Sequence, residues 1–333
     1  MPLSDLSQRL SSKSHRLVIT THWGPDGDAI GSSLGLAHYL RGQGHRVSVV
    51  LPNTPSLPLQ KSPGYESAFV HVFSENQSAA QRCFEEAEGL FSLDYNTASR
   101  VGGEMQPWVE NFEGFRVLMD HHQEPDRGYD YTYSQTTKSS TAEMVFDFIE
   151  HDGGALDASA AEALFMGLIT DTGSFRFPSV TAATLRAASK LVEAGAEPHR
   201  IHERLFESNP PSRMKLWGRG LTSLELLAQG QAAMMFLSAK DLQECGYEAG
   251  DTEGLVNQGL SISGVQMSVF AREDAAAGII KLSFRSKGAV DVNAFARANW
   301  QGGGHIYAAG GKSDETLDAT LARLRSIMTE YLS

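Results

Sequence analysis

Residues 16–51 read RLVITTHWGPDGDAIGSSLGLAHYLRGQGHRVSVVL, and this stretch decides the fold. Arg16 to Thr21 is short, continuous and β-branched, the composition of a buried strand. HWGPDGD follows as a turn-rich loop. In the next segment Ile30, Leu34, Ala37 and Leu40 fall at helical spacing, and Gly42 and Gly44 supply the stop. Arg46 to Leu51 is a second strand of the same character. Strand, helix and strand in so short a span make a βαβ unit, which requires a parallel sheet and a right-handed crossover.

The pattern recurs downstream. Gly89 to Asp94 (GLFSLD) is an apolar strand ending in an acid, with a helix expected to open near Thr97. Phe115 to Asp120 (FRVLMD) is another, running straight into His121 and His122. Ligands of doubly wound sheets bind at the carboxyl ends of the strands. Three strands are therefore expected to deliver His22, Asp94 and the triplet Asp120, His121 and His122 to one edge. From Ser139 to Glu207 apolar residues recur at intervals of three and four, the mark of packed helices. Beyond Asn209, Pro210 and Pro211, strands are expected at 231–237, 265–272 and 278–285, with helices at 292–299 and 317–331. The expected architecture is α/β: a doubly wound parallel sheet over residues 1–190, a helical linker over 191–214, and a smaller mixed α/β domain over 215–333. The active site would lie in the cleft between the domains.

Bulk properties narrow the function. The chain has 333 residues, enough for two domains, and is 41% hydrophobic and 20% charged, so it has a core to bury. Its formal net charge is −12. Affinity for long nucleic acid comes from cationic side chains displacing counterions, so this balance argues against a long polyanion as partner. It leaves room for a small phosphate ligand, because bound divalent cations reverse the local field. Cys83 and Cys245 stand apart, without the spacing of a disulfide framework or a CxxC site. The N-terminus lacks a signal-like apolar stretch, and no run of about 18 apolar residues marks a membrane span. A cytoplasmic location, with no membrane partner, is the expectation.

The chemistry concentrates in His22-x-x-Pro25-Asp26-Gly27-Asp28. Carboxylate oxygens suit hard divalent cations, and an imidazole adds affinity for Mn, Fe, Co or Zn over Mg. Asp28 has an ordinary explanation as the cap of the following helix, but that explains neither His22 nor Asp26. Asp94 alone reads as an Asx turn. Asp120, His121 and His122 directly after an apolar strand have little packing rationale. Asp171, in GLITDTGSFRF, follows a buried helix end. Three imidazoles and five carboxylates exceed the needs of one ion and suit two, which together ionise a shared water and clamp both oxygens of an in-line phosphoryl displacement. The C-terminal half adds KLSFRSKG (281–288) and QGGGHIYAAGG (301–311). Consecutive glycines let backbone N–H groups approach an anion, and Arg285 and His305 can pair with phosphate oxygens.

Taken in order, HWGPDGDA, Asp94 at its strand end, Asp120-His121-His122, Ser139 to Glu143, TDTGSFRF, SFRSKG and GGGHIYAAGG resemble the DHH phosphoesterase superfamily, in the branch with a DHH-associated C-terminal domain. The match spans nearly the whole chain. The resemblance implies a manganese-dependent enzyme that cuts short RNA to mononucleotides and converts 3′-phosphoadenosine-5′-phosphate to AMP and phosphate. It implies His22 and Asp26 as ligands of a first metal, Asp28, His121 and Asp171 of a second, and Asp94 as the bridge. Asp120 would orient its neighbours and His122 would face the substrate. Arg285, Gly303, Gly304 and His305 would grip the far phosphate or terminal nucleotide. Trp23-Gly24 departs from the family, which often has an apolar residue and Asn before Pro. The resemblance leaves a homodimer open. The alternatives are a phosphodiesterase for linear or cyclic dinucleotides and, from another class, a non-catalytic nucleotide sensor.

Overall fold

The computed structural model describes residues 2–332, which divide into two compact units, one ending at Ser208 and one beginning at Asn209. In the first, six strands form a single sheet: β1 (Arg16–Thr20), β2 (Arg46–Leu51), β3 (Val70–Val72), β4 (Gly89–Leu93), β5 (Phe115–Asp120) and β6 (Tyr131–Ser134). Their order is β3-β2-β1-β4-β5-β6 and every pairing is parallel. The order reverses between β1 and β4, and a crevice opens at such a switch point outside the carboxyl ends of the strands.

The helices of this unit are α1 (Pro2–Ser11), α2 (Gly27–Gly42), α3 (Leu57–Gln60), α4 (Gln77–Glu86), α5 (Gln106–Glu110), α6 (Thr141–Asp152), α7 (Ala158–Asp171), α8 (Ala182–Glu193) and α9 (Pro198–Phe206). Alternate residues of the strands feed two cores. Leu17, Ile19 and Val49 join Ile30 and Leu34 of α2 and Leu164 of α7, while Val18, Val50 and Leu90 pack with Phe84 of α4 and Val109 of α5. A sheet covered on both faces explains why its strands are continuously apolar. The helix expected after Thr97 is instead a 3₁₀ turn, Ala98–Val101. Gly102, at φ +89°, ends it before an α-helical turn can propagate.

One glycine pair positions the site. A Cβ on Gly31 of α2 would stand 2.5 Å from the Ala163 carbonyl oxygen of α7, and one on Gly167 of α7 would stand 2.9 Å from Asp28 Oδ1. The two helices therefore meet backbone to backbone. That close approach carries Asp28 of α2 to the face of α7 that bears Asp171 one turn after Gly167.

The second unit has strands β7 (Glu225–Leu227), β8 (Ala232–Leu237), β9 (Met267–Asp274), β10 (Ile279–Ser286), β11 (Gly303–His305) and β12 (Ala308–Ser313), ordered β11-β12-β10-β9-β8-β7. Only β8 and β9 run parallel, so the sheet is mixed. Helices α10 (Pro211–Thr222), α11 (Ala239–Cys245) and α12 (Leu255–Leu260) pack on one face. Helices α13 (Val292–Asn299) and α14 (Leu317–Tyr331) cover the other, around the buried Trp300. No helix among the described residues is long and apolar enough to cross a membrane.

Candidate metal centre

At the carboxyl edge of the first sheet β1, β4 and β5 lie side by side; His22 follows β1 by two residues, Asp94 follows β4 directly and Asp120 closes β5. Asp94 adopts a left-handed backbone, φ +64°, directly after β4. A non-glycine residue tolerates that conformation only where its surroundings hold it, and such outliers cluster at functional sites. Its carboxylate is 2% exposed and accepts a hydrogen bond from Thr141 Oγ1 at 3.0 Å. The bond spans 47 residues, so the Asx turn expected for Asp94 in isolation gives way to a tertiary role.

Three clusters of ligand atoms form around it, each within 4.8 Å: His22, Asp26 and Asp94; Asp28, His121 and Asp171; and Asp94, His121 and His122. His22 Nε2 lies 3.5 Å from Asp94 Oδ2 and 3.9 Å from Asp26 Oδ1. His121 Nε2 lies 3.6 Å from Asp94 Oδ1 and 3.3 Å from Asp171 Oδ2. Two atoms each about 2.1 Å from one ion stand roughly 3.0–3.5 Å apart at octahedral to tetrahedral angles; the His22–Asp94 and His121–Asp171 separations fall in that range, and all four are too long for strong hydrogen bonds.

The electrostatics fit cations as well. Asp28 is fully buried, and that burial, with the charges of Asp94, Asp171 and Asp26, pushes its carboxyl well above the usual range against the opposing bond from Ala142. Burial and the charges of Asp26 and Asp94 likewise raise Asp171, whose side chain remains 28% exposed. Among the described residues, no Lys or Arg forms an ion pair with Asp28, Asp94 or Asp171. Burial works against a charged His22, yet its bond to Asp94 and the charges of Asp94 and Asp26 push it up to about 9. Asp94, despite its burial, is held well below the usual range by His22, His121 and His122. Like charges here, paired among the described residues with imidazoles rather than with Lys or Arg, form a group that could hold a cation.

Surrounding groups aim these side chains. Asp26, not Asp28, caps α2: its Oδ1 accepts from the backbone N–H groups of Asp28 and Ala29 at 3.0 Å. Asp28 instead accepts from the N–H groups of Thr141 and Ala142 at 2.6 and 2.8 Å, at the positive end of α6. Asp120 accepts from the His122 N–H at 3.0 Å, and its other oxygen lies 2.6 Å from His122 Nδ1. That carboxylate bond and the charges of Asp94 and Asp120 raise His122 despite its burial. His121 Nδ1 faces the Lys138 carbonyl at 3.4 Å, which turns Nε2 toward Asp94 and Asp171. The segment carrying Lys138 and Thr141 is pinned by the buried Glu143, which accepts from Ser139 N–H and Oγ, Thr184 Oγ1 and Lys138 Nζ.

Thr141 and Lys138 are the residues that sequence reasoning missed. Thr141 stands inside the quoted 139–143 motif, and its position one residue after the Ser140 helix cap was the available signal. Lys138 contributes a backbone carbonyl, for which no residue type is diagnostic.

In the second unit, the chain places Gly303, Gly304 and His305 on edge strand β11, opposite Gly310, Ala309 and Ala308 of β12. A Cβ on Gly302 would stand 2.0 Å from the Gly310 carbonyl oxygen, and one on Gly304 would stand 2.5 Å from that of Ala308. These glycines answer first to strand pairing. The Gly304 N–H, expected to be open to an anion, donates to Asn293 Oδ1 at 3.0 Å. Gly303 alone has room, its nearest neighbours being 3.6 Å away on Asn293 and Arg297. Arg285 lies near the end of β10, where one of its guanidinium nitrogens donates to the Phe284 carbonyl at 2.9 Å.

The N-terminal domain of the DHH family matches residues 16–168, and the DHHA1 domain matches residues 231–332. A protein of Thermus thermophilus named bifunctional oligoribonuclease and PAP phosphatase NrnA is 32% identical over 294 residues, 88% of this chain and 83% of its own. The chain belongs to the DHH family. This DHH protein is also 29% identical to the Bacillus subtilis protein of the same name, over 321 residues and 95% of each chain. The crystal structure of an exopolyphosphatase-related protein from Bacteroides fragilis superposes with a TM-score of 0.93 at 31% identity, covering 99% of this DHH chain and 96% of that one. The chain is thus a DHH phosphoesterase with the DHH and DHHA1 domains in the order its motifs imply.

Proposed function

We propose that this phosphoesterase uses two divalent cations, manganese in the first instance, to hydrolyse short oligoribonucleotides to mononucleotides and 3′-phosphoadenosine-5′-phosphate to AMP and phosphate. The observation that carries the reading is Asp94, one carboxylate set between His22 and Asp26 on one side and His121 on the other. His22 and Asp26 would hold one cation, Asp28, His121 and Asp171 the second, and Asp94 both. When bound, the pair supplies an acidified water and a clamp on the attacking and leaving oxygens. The chain's own residues do the rest. Asp120 keeps His122 Nδ1 engaged and so directs Nε2 outward, where a proton held on the imidazole can be given to the departing oxygen. The cap made by Asp26 and the contacts of Asp28 with α6 hold these carboxylates in place before substrate arrives. Arg285, Gly303, Gly304 and His305 would take the far phosphate or terminal nucleotide. Relatives named for both activities support the substrate assignment.

The test is product analysis of the purified protein with manganese, and with chelator, on di- to pentaribonucleotides, 3′-phosphoadenosine-5′-phosphate and cyclic dinucleotides. Mononucleotides from the short RNAs and AMP from the bisphosphate, both abolished by chelator, are expected. Faster turnover of cyclic dinucleotides than of either would replace this reading with the dinucleotide one, and binding of these ligands without hydrolysis would leave only a sensor.

A further inference from the structure

At the amino edge of the first sheet, at the opposite end of the strands from the metal centre, lies a groove of about 750 Å³. Its lining carries four arginines, Arg16, Arg41, Arg46 and Arg82, against one carboxylate, Glu86, in a chain of net charge −12. The pleat explains the convergence. Arg16 and Arg46 open β1 and β2 and are register partners, so they project from the same face as Val18 and Ser48. His71 pairs with Val50 and shares that face. Helix α4 crosses it and contributes Arg82 and Cys83.

Two like charges directly opposite on neighbouring strands oppose folding unless something is placed between them. Among the described residues Arg16, Arg46 and Arg82 form no ion pair, and Glu86 is the one carboxylate in the lining. Arg41 is already fixed, donating to the Val47 carbonyl at 3.0 Å and standing 4.5 Å over the Phe69 ring. Guanidinium forks match phosphate oxygens in shape and charge. Inorganic phosphate would leave most of the volume empty, since grooves of roughly 300–1,000 Å³ suit ligands of nucleotide or drug size. On the arginine face the half-buried imidazole of His71 offers a planar surface for a base, whereas Leu17 and Val47 turn into the opposite core.

We propose that this groove is a second, non-catalytic site for a nucleoside phosphate, its phosphate held by Arg16, Arg46 and Arg82 and its base laid against His71. Roughly 17 Å of strand separates it from the carboxyl edge, so it acts independently of the catalytic reading.

Cys83 lines the groove and Cys245 is buried, so alkylation by a maleimide reports on the groove in the unaltered full chain. With chelator present, AMP should slow alkylation of Cys83, and the Arg46→Ala/Arg82→Ala double variant should need about tenfold more AMP or worse for the same protection. Both arginines are exposed, so the variant should keep wild-type circular dichroism and diribonucleotide turnover in manganese. Absence of protection at millimolar AMP would overturn the proposal, as would protection unchanged in the double variant. Equal protection by inorganic phosphate would remove the nucleoside from it. Protection by a twelve-nucleotide RNA at lower concentration than AMP would make the groove a nucleic-acid surface instead.

Discussion

The candidate metal centre and the glycine hairpin of the second unit both carry family motifs, but their residues are committed in opposite ways. At the carboxyl edge of the first sheet, side chains with no packing role converge: Asp94 is buried, left-handed and surrounded by three imidazoles. On β11, Gly302 and Gly304 are required by the approach of β12, and the Gly304 N–H is already donated to Asn293. A buried acid or imidazole has few structural uses and so advertises chemistry, whereas a glycine has many and advertises backbone geometry first.

The largest effect tests that contrast directly. Asp94→Ala should cost more than about 100-fold in turnover on a diribonucleotide in manganese, above the span usual for outer groups of metal sites, with circular dichroism unchanged. Retained activity would mean that the central carboxylate is structural and would erase the difference between the regions. Thr141→Val should cost about 10–100-fold while keeping the side-chain volume, because only the bond to Asp94 is lost. Gly304→Ala should destabilise the protein by about 1–3 kcal/mol in chemical denaturation, since φ +152° and the Ala308 carbonyl 2.5 Å from a new Cβ both oppose it. Gly303→Ala should stay within roughly 0.5 kcal/mol of wild type. A rise in KM for Gly303→Ala at unchanged stability would assign the substrate contact to that one glycine.

The smallest effect is a pH dependence. In the cation-free protein, the His22 value near 9 lies above its ordinary 6.5, so the stabilisation from its charge is complete below about 6.5 and is lost as pH rises through 9. A cation needs the neutral imidazole, so calorimetry should show manganese affinity rising over the same window with release of a proton. Asp94→Asn should flatten the stability slope, because its charge is what holds the proton on His22.

Much of the first unit was legible because its signals are local. The RVSVVL and FRVLMD strands keep the bounds read from their composition, Arg46–Leu51 and Phe115–Asp120. The helix after the HWGPDGD loop has its apolar residues at the spacing a packed face demands, and it ends at Gly42. The helix expected at Thr97 failed because SRVGG sustains only a 3₁₀ turn before Gly102 turns the chain. The sequence offers Asp28 as a cap of α2, and spacing cannot separate it from Asp26. The choice depended on α6 arriving to take the Asp28 carboxylate.

The order of strands and helices, the residue types available for chemistry and the family itself are properties of the chain as written, because periodicity and composition act over a few residues at a time. Which oxygen faces which nitrogen was decided only in three dimensions. Parallel crossovers set β1, β4 and β5 beside one another, and the glycine contact of α2 with α7 closes the last few ångströms. Thr141, 47 residues from Asp94 and 113 from Asp28, reaches both because the N-terminus of α6 is packed there, and no spacing along the chain encodes that.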